Sequence, residues 1–133
     1  MKILGIGVDI IKNKRIKKAI KNDLFIKRTF SKNEIRYSKN ILNKSNFFAK
    51  RFAAKEAFVK SIGSGFRNNI NFNDVEIYNN KKGSPKIKIS KKIKDILKKK
   101  FKIKNYDIHL SLSDEEKYSI AFVILNKKKW KIS

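Results

Sequence analysis

Two acids in the sequence have neighbours of the wrong kind for a surface carboxylate. Asp9 lies inside "KILGIGVDII", an apolar run over residues 2–11. Glu56 lies inside "FAAKEAFVK", among alanines and phenylalanines, with Lys55 before it and Lys60 one turn later. A carboxylate taken into such surroundings is costly unless it is paired or holds a metal. Each acid has a structural explanation as well. Asp9 could be a strand-end acid bonded to backbone or to a lysine. Glu56 and Lys60 have the i,i+4 spacing of a helical ion pair, which stabilises by only ~0.2–0.5 kcal/mol. Taken together, two carboxylates from different elements suit Mg²⁺. That ion takes one or two protein carboxylates and completes its shell with phosphate oxygens and water. Lys55 and Lys60 can reach phosphates, and the "GSG" of residues 63–65 can bring backbone close to a ligand.

Other chemistries are poorly supported. "GIGVDI" lacks the third glycine of a dinucleotide fingerprint, and no phosphate-loop spacing is present. His109 is the only histidine; it alternates with Ile108 and Leu110 on a strand pattern that also carries Ser111 and Ser113. These read as polar residues of a sheet face, and no Ser–His–Asp set is visible.

The elements that must position the two acids follow from periodicity. In residues 2–11, Leu4, Ile6, Val8 and Ile10 share one face of a strand. Gly5, Gly7 and Asp9 share the other. That second face is bare beside the acid, so something bulky can approach its backbone. "KNKRIKKAIK" then reads as a basic helix with Ile16, Ala19 and Ile20 inward. Ser31 and Glu34 form a capping-box signature. After a polar stretch, a helix is expected over roughly 47–62. Phe48, Phe52, Val59 and Ile62 form its stripe, Glu56 and Lys60 lie at the edge, and Gly63 is a left-handed cap. "INFNDVEIYNN" and "KIKIS" read as a hairpin about the turn "KKGSP". "KKIKDILKKKF" reads as a helix with Ile93, Ile96, Leu97 and Phe101 inward. "DIHLSLS" and "YSIAFVIL" read as strands joined by "DEEK".

The chain of 133 residues favours one domain over 1–133, and 41% apolar content allows a core without staples. There is no cysteine, which excludes disulfides and thiolate metal sites. No apolar run is long enough to span a membrane, and the N-terminus lacks a signal-peptide pattern. A cytoplasmic protein is expected. The net charge is +24, yet only five of the 35 basic residues are arginine. Such a surface attracts acidic partners. A nucleic-acid reader, however, would show arginine base contacts and a groove-reading motif, and neither is present.

Three stretches carry a resemblance. "GIGVDIIKNKRI", "RFAAKEAFVKSIGSG" and "LSLSDEEKYSIAFVIL" stand in the order and spacing of the holo-acyl-carrier-protein synthase family of 4'-phosphopantetheinyl transferases. The chain resembles that family over nearly its whole length. The resemblance implies an α+β fold, a small antiparallel sheet packed against helices, assembled as a homotrimer with sites between subunits. It implies Mg²⁺-dependent transfer of phosphopantetheine from coenzyme A to a serine of apo acyl carrier protein, releasing 3',5'-ADP. Carried over, Asp9 and Glu56 match the metal ligands, and Lys60 matches the lysine beside the diphosphate. Arg51, Lys55, Gly63, Gly65 and Ser111 match coenzyme A positions. Arg15, Phe25, Arg28 and Phe52 match carrier contacts. One departure stands out: "SLSD" places Asp114 where the family commonly has histidine, next to the expected nucleotide. Two other readings stay open on the residues alone. One is a non-enzymatic nucleic-acid-binding module using the lysine excess, and the other is a relative that has lost activity through Asp114.

Overall fold

The computed structural model describes residues 2–63, 66 and 69–128. The chain runs β1 (Lys2–Lys12), α1 (Asn13–Ala19), α2 (Asp23–Thr29), α3 (Lys32–Ser38) and α4 (Lys44–Ser61). A 3-10 turn (Phe72–Asp74) leads into β2 (Val75–Asn79) and β3 (Pro85–Ile89). α5 (Lys91–Phe101), β4 (Tyr106–Asp114) and β5 (Tyr118–Lys127) complete it. β1, β5 and β4 form one antiparallel sheet in that order, and β2 pairs with β3 in a separate hairpin. This is the α+β arrangement expected.

Helix α4 is the axis of the molecule. Its N-terminus is capped by Asn43, whose side chain accepts from the Asn46 amide, so the helix begins a turn before the expected start. It is buried nearly all round rather than along one stripe: Phe47, Phe48, Ala49, Phe52, Ala53, Ala54, Ala57, Phe58 and Val59 all belong to the core. The reason is that α4 lies between the sheet on one side and α1, α3 and β2 on the other.

The bare face of β1 is where α4 seats. A Cβ on Gly5 would fall 1.7 Å from the Ser61 carbonyl oxygen, and one on Gly7 would fall 1.8 Å from that of Ala57. Strand and helix thus meet backbone to backbone, which only glycine permits. The bulky neighbour is the helix. The other face of β1 points outward. Ile6, Val8 and Ile10 are about half exposed, and the register sets Val8 opposite Phe122 and Ile10 opposite Ile120, both also exposed. A contiguous apolar sheet face of this kind is unusual on a lone soluble chain.

Three local features differ from the expected pattern. α2 has no clear apolar period and is started by Asn22, whose side chain accepts from the Leu24 and Phe25 amides. The strand expected from residue 70 begins only at Val75. The Asp74 carboxylate accepts from the Asn71 amide and folds Phe72–Asp74 into the 3-10 turn. In α5, Ile93 and Leu97 are buried as expected, while Ile96 and Phe101 pack only partly.

Candidate active site

The edge of α4 that carries Glu56 and Lys60 faces the Asp9 end of β1. The Lys60 ammonium bonds both the Asp9 carboxylate (Oδ1) and the Val8 carbonyl, each at 3.0 Å. Asp9 is mostly shielded, whereas Lys60 keeps about half its side chain in solvent. Glu56 is half-buried, and its pKa is pushed up, first by that burial and then by the negative charge of Asp9; Lys60 and Arg15 offset part of the shift. Two acids therefore share one region with two basic side chains, Lys60 and Arg15, and burial is the first cause that raises the Glu56 pKa. Among the described residues no cluster of three or more His, Cys, Asp or Glu could hold a metal. The pair nevertheless fits Mg²⁺, which takes few protein ligands and draws the rest from substrate and water.

Glu56 and Arg15 also line a groove of about 1140 Å³ with Phe25, Arg28 and Phe52. All four residues matched to carrier contacts thus line one groove, with a candidate metal acid in its wall. Its apolar wall is a row of rings. Phe52 stacks on Phe72 at 5.3 Å, Phe72 on Phe66 at 3.9 Å, and Phe25 lies 6.2 Å from Phe52.

Arg51 is placed elsewhere. Five residues before Glu56, it projects about 140° away around the helix. It lines a recess of about 270 Å³ with Lys50, Asn46, Asn79 and Asp114. Its guanidinium lies over the Phe47 ring at 3.8 Å and donates to Asn79 Oδ1 at 2.9 Å. Burial lowers its pKa, with Glu34 and Tyr37 opposing the shift. Its Nε is buried and has no partner among the described residues. Asp114 is compensated in place: Lys50 lies at 3.3 Å and the Asn46 side-chain Nδ2 donates at 2.9 Å.

Lys55, matched to a coenzyme A position, is fully buried. Its ammonium bonds Glu34 at 2.8 Å and the Phe72 carbonyl at 3.1 Å. Burial lowers its pKa, and Glu34 opposes that shift. Its charge is spent inside the fold. Gly63 ends α4 with φ +77°, and Gly65 lies outside the described residues. Ser111 sits opposite Phe122, on the outward face of the sheet.

Sequence reading missed the partners of these groups. The capping role of Glu34 was legible, but its bonds to Lys55 and to the Ile77 amide were not. Nothing local marked Asn46, Lys50 or Asn79 as the lining around Arg51.

The chain matches the family model of the 4'-phosphopantetheinyl transferase superfamily over residues 5–123. It is 59% identical over 128 residues to a holo-[acyl-carrier-protein] synthase of Pelagibacter ubique (strain HTCC1062), covering 96% of this chain and all of that one. The crystal structure of a holo-[acyl-carrier-protein] synthase from Neisseria meningitidis superposes with a TM-score of 0.84 at 35% identity, covering 94% of this chain and 99% of that one. One from Bacillus anthracis, in complex with CoA (3',5'-ADP), superposes with a TM-score of 0.79 at 32% identity, covering 96% and 100%. The chain belongs to the 4'-phosphopantetheinyl transferase superfamily and is an enzyme of the holo-[acyl-carrier-protein] synthase type. The alternative of a non-enzymatic nucleic-acid-binding module is set aside. Among the described residues no helix is long and apolar enough to cross a membrane.

Proposed function

We propose that this chain transfers 4'-phosphopantetheine from coenzyme A to a serine of apo acyl carrier protein in the cytoplasm, requires Mg²⁺, and releases 3',5'-ADP. The observation that carries the reading is the Asp9–Lys60 pair close to Glu56, which itself lines the groove with Arg15 and Arg28. In this reaction the serine oxygen bonds to the β-phosphorus, the bond from that phosphorus to the bridging oxygen breaks, and the bridging oxygen leaves with 3',5'-ADP. Asp9 and Glu56 would hold the Mg²⁺, which supplies Lewis-acid stabilisation of charge on the diphosphate. Lys60, half exposed at Asp9, is free to turn its ammonium toward the diphosphate and add a point charge there. Glu56 lines the groove with the residues matched to carrier contacts, which puts a carboxylate where the serine proton can go.

The nucleotide end is assigned to the Arg51 recess, where a buried donor without a partner among the described residues meets Lys50 and Asn46. That recess and Glu56 face opposite sides of α4. A complete site therefore draws its two halves from neighbouring copies, in keeping with a homotrimer. The outward face of Ile6, Val8, Ile10, Ile120 and Phe122 is the surface by which copies would join, and Ser111 lies on it. Gly63 and Gly65 are assigned to the phosphate side. Asp114, already paired, adds little repulsion, which favours an active enzyme over an inactive relative.

The test is mass spectrometry of an apo acyl carrier protein incubated with the chain, coenzyme A and Mg²⁺. The carrier should gain one phosphopantetheine. An unchanged carrier mass would overturn the assignment.

A further inference from the structure

Lys55 and Glu34 are side chains with no exposure, one on α4 and one on α3. Glu34 is fully engaged: one carboxylate oxygen accepts from the Ser31 amide at 2.7 Å and from Lys55, and the other accepts from the Ile77 amide at 2.9 Å. A buried ion pair is a poor source of stability, because apolar residues of similar volume often do as well. Direction is what such a pair adds here. The second bond of Lys55 crosses to the carbonyl of Phe72. Phe72 opens the short 3-10 turn, and its ring is the centre of the groove wall, stacked between Phe52 and Phe66. Lys55 is also the residue next to Glu56, so one turn of α4 bears the candidate metal acid and the anchor of the wall facing it.

We propose that Lys55 is a positioning residue for carrier recognition: its bond to the Phe72 carbonyl holds the Phe25–Phe52–Phe72–Phe66 wall in register with the turn of α4 that carries Glu56. This rests on the reading of the groove as the carrier site. It assigns Lys55 no contact with coenzyme A.

Two measurements test it, on the full chain. The first is steady-state transfer with Lys55→Met and with the double variant Lys55→Met/Glu34→Gln. The double variant removes both charges yet keeps an acceptor for the Ile77 amide, so it remains informative if the single variant fails to fold. The KM for apo acyl carrier protein should rise about tenfold while the KM for coenzyme A stays within about twofold. The second is amide hydrogen exchange, which needs no activity. Exchange across residues 71–74 should quicken in the variants while that of α4 is unchanged. A rise in the KM for coenzyme A alone would place Lys55 at the donor and overturn the inference. Unchanged carrier KM with unchanged exchange would overturn it as well. A wild-type chain that transfers nothing would refute the carrier reading, while the exchange result would still decide whether Lys55 holds the wall.

Discussion

Lys55 and Glu56 are adjacent in sequence and opposite in fate. The Lys55 ammonium is sealed inside the fold with Glu34, where every bond it makes is to protein. Glu56 stands half-buried near Asp9, with its pKa raised by burial and by that neighbour even though Lys60 and Arg15 oppose the shift. The difference separates scaffold from site. A charge matched within the fold fixes geometry. A charge left over makes the protein bind something else.

The strongest way to break this comparison is to remove the unmatched acids. Asp9→Ala and Glu56→Gln should each lower Mg²⁺-dependent transfer by at least about a thousandfold, with circular dichroism unchanged. Turnover near the wild-type level in either variant would make those carboxylates scaffold too. The next largest effect belongs to the outward sheet face. Phe122→Glu should shift the chain to monomer in light scattering and cut transfer by about tenfold or more, if the two halves of the site come from different copies. A monomeric variant with full activity would place the whole site on one chain.

A smaller effect concerns charge steering. Arg15→Ala should slow association with the acidic carrier several-fold at low salt, and the gap should close as salt screens exposed pairs over ~10 Å at 0.1 M. An on-rate indifferent to salt would leave Arg15 without this role.

The smallest effect is on stability, and its sign follows from Glu56. A carboxyl whose pKa is raised by folding stabilises the fold when protonated, below its unfolded pKa. That contribution is lost as pH rises through the folded value. Without metal, Glu56→Gln should therefore melt slightly higher than wild type at neutral pH, and the advantage should shrink on acidification. Mg²⁺ should raise the melting temperature of the wild type more than that of the variant. Equal melting curves at every pH would mean that Glu56 carries no uncompensated charge.

How much of this could be read from the chain depended on how local the cause was. Asp9 and Glu56 were legible because each is an acid in an apolar stretch. Lys55 reads from the sequence as a lysine that can reach phosphates, since its partner Glu34 stands 21 residues earlier on another helix and leaves no local trace. The capping box of α3 and the helix of α5 are short-range patterns and were found. α2 was not, since only its Asn22 cap marks it. The start of β2 shifted because one Asp74 bond outweighed an alternating pattern. Arg51 and Glu56 stand about 140° apart around α4, a separation that their spacing of five residues already carries.

The seam of Gly5 and Gly7 against the carbonyls of Ala57 and Ser61 has a bearing on how an ion would arrive. Main chain touching main chain sets the gap between strand and helix, so the spacing of the two acid-bearing elements does not wait on rotamers. A Mg²⁺ held by Asp9 and Glu56, as proposed, would meet a slot whose width the main chain has already set.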